Sequence, residues 1–148
     1  RLAPRPAHNN SLEVYAAGSA YALTANPALL DFGATDPSLT ITQPGTYLLL
    51  GRVVLDYNAA SFAASRVVTL KFRRTNNTAA DLTNGSTAVD TDIITTLSYT
   101  MGDYPLPFVI YTTANSNDII QVFGDVAVVP TAGSLDAVAA EIVAIRLS

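Results

Sequence analysis

The stretch Tyr47-Leu48-Leu49-Leu50-Gly51-Arg52-Val53-Val54-Leu55 decides how this chain folds. In an extended strand successive side chains point to opposite faces. Tyr47, Leu49 and Val53 therefore share one apolar face, while Leu48, Leu50 and Val54 make the other nearly as apolar. Such a strand needs cover on both sides. Phe108-Val109-Ile110-Tyr111 and Val138-Ala139-Ala140-Glu141-Ile142-Val143-Ala144-Ile145 have the same character, interrupted in the second by Glu141. Arg66-Val67-Val68-Thr69-Leu70-Lys71-Phe72-Arg73 differs: Val68, Leu70 and Phe72 alternate with Val67, Thr69, Lys71 and Arg73, so its second face can meet water. A two-layer sandwich covers only one face of each sheet. A sheet holding the three double-sided strands needs a third layer, most economically another copy of the chain.

Around these strands, runs of Val, Ile, Leu, Tyr, Phe and Thr are separated by turn clusters at the spacing of a β-sandwich or jelly roll. The clusters include Thr35-Asp36-Pro37-Ser38, Gln43-Pro44-Gly45, Asn76-Asn77, Asn84-Gly85-Ser86, Gly102-Asp103-Tyr104-Pro105, Asn115-Ser116-Asn117-Asp118 and Pro130-Thr131-Ala132-Gly133. Asn84-Gly85 suits a type I′ turn and predicts a hairpin there. The Ala-rich segments 58–65 and 135–144 have some helical character, but the β-branched residues of the second argue for a strand. Residues 1–10, with Pro4, Pro6, Asn9 and Asn10 and no periodicity, read as an extended arm or linker. Residues 11–148 read as a single head domain, since 148 residues are enough for one core.

Hydrophobic residues make up 49% and charged residues only 14% of the chain, which leaves few charges to coat a monomer. Net charge is −4, with one lysine, so nothing marks a nucleic-acid or anionic-membrane partner. Arg52 interrupts the longest apolar run, which argues against membrane insertion. There is no cysteine, and the one histidine, His8, lies in the arm. A Ser-His-Asp triad or a multi-histidine metal site cannot be assembled on one subunit.

Other chemistry-bearing residues have plainer readings beside the functional ones. Asp90 and Asp92 sit two apart, a spacing compatible with paired-carboxylate hydrolysis, though charges at a strand edge are the commoner use. Asn117 and Asp118, with Asn115 in the same turn and Asp103 and Asp125 as more distant contributors, are candidate calcium ligands. Asn and Asp in turns more often cap or adopt left-handed conformations. Lys71, Arg73 and Arg74 form the basic cluster, read as a solvated face. The tyrosines could make a sugar platform, but core and interface positions are their commoner place. No cofactor is expected.

From Leu29 onward the order of elements resembles the superfamily of tumour necrosis factor and the globular head of complement one-q. The resemblance rests on Leu30-Asp31-Phe32, then on Leu39-Thr40-Ile41-Thr42-Gln43-Pro44-Gly45-Thr46-Tyr47-Leu48, with Leu39 at the family's Phe position and Pro44-Gly45-Thr46-Tyr47 as its Pro-Gly-x-Tyr, and on Asn117-Asp118-Ile119-Ile120-Gln121-Val122 as the counterpart of its Gly-Asp-x-Val-x-Val. It implies an all-β, ten-stranded jelly-roll sandwich that forms a homotrimer. It also implies that Tyr47 and Leu49 point into the sandwich, while Leu48, Leu50, Phe108 and Ile110 face the trimer contact. The function expected is non-enzymatic: a trimerisation and attachment head of a surface, stalk or phage or virion fibre protein, located outside the cell or on a virion. A carbohydrate- or receptor-binding module is the alternative, and a small hydrolase the third reading.

Overall fold

The double-sided and the alternating strands separate into different sheets. The computed structural model describes residues 11–148, and of residues 83–86 the backbone alone. The arm expected over residues 1–10 lies outside the described residues. Among the described residues nine strands follow in order: β1 (Ser11–Ala22), β2 (Ala28–Leu29), β3 (Ser38–Thr40), β4 (Gly45–Phe62), β5 (Val67–Arg74), β6 (Ala80–Asp90), β7 (Ile94–Thr113), β8 (Ile119–Val126) and β9 (Ala132–Arg146). No helix occurs among the described residues.

A four-stranded sheet has the order β1-β9-β4-β7, and a five-stranded sheet the order β2-β8-β5-β6 with β3 also on β8. Every pairing is antiparallel. The expected all-β jelly roll is the fold. The three double-sided strands, β4, β7 and β9, are neighbours in one sheet, as their hydrophobic pattern requires. The alternating strand β5 lies at the centre of the other.

The core lies between the sheets. Tyr47, Leu49, Val53 and Leu55 of β4 face Val68, Leu70 and Phe72 of β5 and Ile120, Val122 and Val126 of β8, all buried. Leu30, Phe32, Leu39 and Ile41, from the segment that carries the family resemblance, are also buried. Gly51 opens the close approach this packing needs: a Cβ there would stand 2.7 Å from Cζ of the Phe72 ring. Any larger residue would have to displace that ring.

Two local expectations give way to longer strands. Gly102-Asp103-Tyr104-Pro105 is the middle of the 20-residue β7, where register shifts against β4 absorb the irregularity. Pro105 and Pro107 are accommodated because β7 is an edge strand whose only ladder partner among the described residues is β4. The β5–β6 turn lies at residues 75–79, where Asn77 and Thr78 take φ of 49° and 76°, and not at Asn84-Gly85. At 84–85 the backbone continues within β6, with a register shift between Lys71↔Ser86 and Arg73↔Asp81, and the side chains there lie outside the described residues. Of the two Ala-rich segments, 58–62 belongs to β4 and 135–144 to β9.

Candidate interaction face

The outer face of the four-stranded sheet is built from alternate residues of its strands. Register aligns Ser11, Ile145, Leu48 and Ile110 in one row across β1, β9, β4 and β7. The next row holds Glu13, Val143 and Leu50, with Phe108 at the β7 irregularity beside it. Leu50 is 39% exposed, Ile110 53% and Phe108 63%. The four residues expected at a subunit contact, Leu48, Leu50, Phe108 and Ile110, therefore lie together on one face. Sequence reading missed the contributions of β9 and β1: Val143 and Ile145 fill the rows, and Tyr15, 57% exposed, flanks them. The double-sided pattern of β9 was the available signal for the first two.

The third row is polar. Arg52 Nε donates to Glu141 Oε2 at 2.9 Å and its Nη1 to Asp103 Oδ2 at 2.9 Å. The Glu141 bond first, then Asp103, raise the already high Arg52 pKa, so the guanidinium stays charged. Glu141, an interruption in the sequence pattern, is thus the partner of the Arg52 that interrupts β4. Beside this triad a depression of about 360 Å³ is lined by Leu50, Arg52, Pro105, Glu141 and Val143, with Gly51 and Leu106 behind them.

The opposite outer face has a different chemistry. Lys71 Nζ and Arg73 Nη1 meet the two oxygens of Asp81 at 2.9 and 2.6 Å. Lys71 and then Arg73 hold the Asp81 carboxyl below its ordinary range. Arg73 also lies 5.8 Å over the Phe123 ring. Arg74 turns away to donate to Thr78 O and to the Tyr111 hydroxyl. The basic cluster is satisfied within the chain.

Asn115, Asn117 and Asp118 come together before β8, but as a closed hydrogen-bond network. Asp118 is fully buried, and its Oδ2 accepts from the hydroxyls of Tyr111 and Thr113 at 2.5 Å each. Its Oδ1 accepts from Asn77 at 2.8 Å and Asn115 at 3.0 Å. Burial pushes this carboxyl up, yet the bonds from Thr113, Tyr111, Asn77 and Asn115 together outweigh it and hold the pKa down to about 2. Asn117 accepts from Asn76 through its carbonyl and from Asn77 through its side chain. The two other acids are elsewhere: Asp103 is on Arg52, and Asp125 is opposite Thr69 in the five-stranded sheet.

Asp90 and Asp92 do not share a strand face, because β6 ends at Asp90 and Asp92 belongs to the connection that follows. Asp92 accepts from the Tyr99 hydroxyl at 2.9 Å, and its backbone N–H donates to Tyr57. The Asp92 bond comes first among the causes that push the Tyr99 hydroxyl up to about 12. Of the tyrosines, Tyr47, Tyr57 and Tyr111 are core residues, and Tyr15 and Tyr99 are exposed.

Two antiparallel sheets in this order make the jelly roll to which the motifs pointed. Comparison with solved structures gives the same answer. The chain resembles the globular domain of zebrafish complement 1qA protein with a TM-score of 0.52 and 14% identity, over 95% of this chain and 98% of that one. The VP2 subviral particle of infectious bursal disease virus gives a TM-score of 0.51 at 12% identity, covering 99% of this chain but only 37% of VP2. Eiger, a tumour necrosis factor from S. frugiperda, aligns over 95% of this chain at 14% identity and a TM-score of 0.47. No family model and no curated protein matches the sequence. The fold is tumour-necrosis-factor/complement-one-q-like, at a remote level of sequence similarity.

Proposed function

We propose that this chain is a non-enzymatic head domain that associates as a homotrimer through the outer face of its four-stranded sheet. The observation that carries the proposal is the pair of apolar rows formed by Leu48, Leu50, Phe108, Ile110, Val143 and Ile145. Soluble monomers seldom leave such contiguous apolar area uncovered. Three-fold symmetry would bury the face three times over, at an interface in which the Arg52 triad brings its own counter-charges. The head would serve a surface, stalk or fibre protein outside the cell or on a virion, and the jelly roll shared with a viral particle protein supports that setting.

Attachment would fall to loops. The 91–93 and 127–131 connections flank the start of β5, where Thr91 N–H donates to Arg66 O and Ala127 N–H to Val67 O. They carry Ile93 at 71% exposure, with Val128 and Val129 also exposed. This is the observation in favour of the carbohydrate- or receptor-binding reading, in which the trimer supplies avidity. Light scattering at micromolar concentration tests the proposal. A trimer is expected, and a monodisperse monomer overturns it.

A further inference from the structure

We infer that Asp56 and Asp136 form a binding site for a calcium-type divalent cation, apart from the Asn115–Asp118 loop. Asp56 on β4 and Asp136 on β9 are directly opposed in register. Their side chains therefore share the outer face of the sheet, with Cα atoms about 4.5–5.5 Å apart. Like charges placed directly across a ladder repel one another. Both carboxyls nevertheless have an oxygen, Oδ1, that is shielded from solvent and has no hydrogen-bond partner. Asp136 as a whole is only 5% exposed. Its other oxygen receives one long bond, 3.4 Å, from Asn58 Nδ2.

The contrast with Asp118 decides the reading. That carboxylate is as deeply buried, and four side-chain donors satisfy it. A buried carboxylate without donors is costly unless a positive charge faces it. Among the described residues no basic side chain forms an ion pair with Asp56 or Asp136, and the nearest along β4, Arg52, is committed to Glu141 and Asp103. A cation from outside the chain would give both oxygens a partner and offset the opposed charges. The donors are oxygens alone: two carboxylates, and the Asn58 amide once its oxygen is turned inward. With no cysteine in the chain and the one histidine at position 8, the set suits a hard ion. Calcium accepts an irregular oxygen shell completed by water, whereas magnesium demands a stricter octahedron. Two carboxylates would neutralise its charge. The site uses one chain's residues and holds whether or not the apolar face is an interface.

The test is calorimetric titration of the 148-residue chain with calcium chloride, together with thermal melts in calcium and in chelator at matched ionic strength. One saturable site per chain is expected, with a rise in melting temperature of roughly 5–10 °C at about 100 times the dissociation constant. Asp136→Asn should lose that binding and, in chelator, melt above the unmodified protein because the opposed charges are gone. Asn117→Ala should bind calcium as the unmodified protein does. Absence of binding at millimolar calcium overturns the inference, as does binding that survives Asp136→Asn or disappears with Asn117→Ala. A melting temperature that follows ionic strength and not calcium also overturns it, since screening alone would then account for the effect. So does an oligomer that dissociates with Asp136→Asn without any calcium response, because an arginine from a second copy would then be the missing cation.

Discussion

Replacing Phe108 by Asp is the most direct test of the apolar face. Phe108 leaves more of its surface uncovered than Leu50, 63% against 39%, so it has more to lose when the face is covered. Full burial of such a side chain is worth about 1.5–3 kcal/mol, and the exposed fraction scales this to roughly 1–2 kcal/mol at each contact. A carboxylate in its place adds a desolvation cost that brings the loss to at least about 2 kcal/mol. Repeated at three interfaces, about 6 kcal/mol weakens the assembly by roughly 10⁴-fold. Size-exclusion chromatography with light scattering should show trimer for the unmodified protein and monomer or precipitate for Phe108→Asp. The control belongs on the other sheet but not at Thr69, which faces Asp125 in register and would create a like-charge pair. Ala88→Asp, on the exposed side of β6 opposite Thr69, avoids that and should leave the trimer intact. A Phe108→Asp protein that remains as trimeric as the unmodified one would refute the reasoning.

Gly51→Ala should lower stability by about 1–3 kcal/mol in chemical denaturation, because the new methyl meets the buried Phe72 ring. Gly133→Ala should cost at least about 2 kcal/mol by the same measurement, since Gly133 has φ of 65° and a Cβ would collide with the Ala59 carbonyl. The Asp118 carboxyl is held down at about 2 against an ordinary 3.8, so its bonds contribute about 2 kcal/mol that is present above pH 4 and lost as pH falls through 2. Acid titration of stability should show this loss, and Asp118→Asn should flatten it while lowering stability at neutral pH.

Much of the fold was legible because it follows from local alternation. The burial of Tyr47, Leu49 and Val53 and the exposure of Leu50 are set by the two-residue period of β4 alone. The turn signals were less reliable, since Gly102 and Pro105 mark a turn only when no partner strand claims them. Here β4 pairs across that segment, and the edge position of β7 removes the penalty for proline. Asp90 and Asp92 failed as a pair for a related reason: two-residue spacing aligns side chains only while the strand continues, and β6 stops between them. The long-range polar contacts were not legible at all. Arg52 and Glu141 are 89 residues apart, and Asp118 draws Asn77 from 41 residues away. No periodicity encodes such partners; they depend on which strands become neighbours.

The contrast between the two outer faces separates the rival readings. On the five-stranded sheet, Lys71 and Arg73 are both paired with Asp81, and this face can meet water as it stands. On the four-stranded sheet Arg52 is paired with Glu141 and Asp103, but the rows beside them are apolar and uncovered. Asp92, one of the two carboxylates of the hydrolase reading, accepts from the Tyr99 hydroxyl. The apolar rows, apart from Asp56 and Asp136, ask for complementary shape. A second copy of the same face and edge provides that complementarity by symmetry, and this makes self-association the simplest cover for β4, β7 and β9.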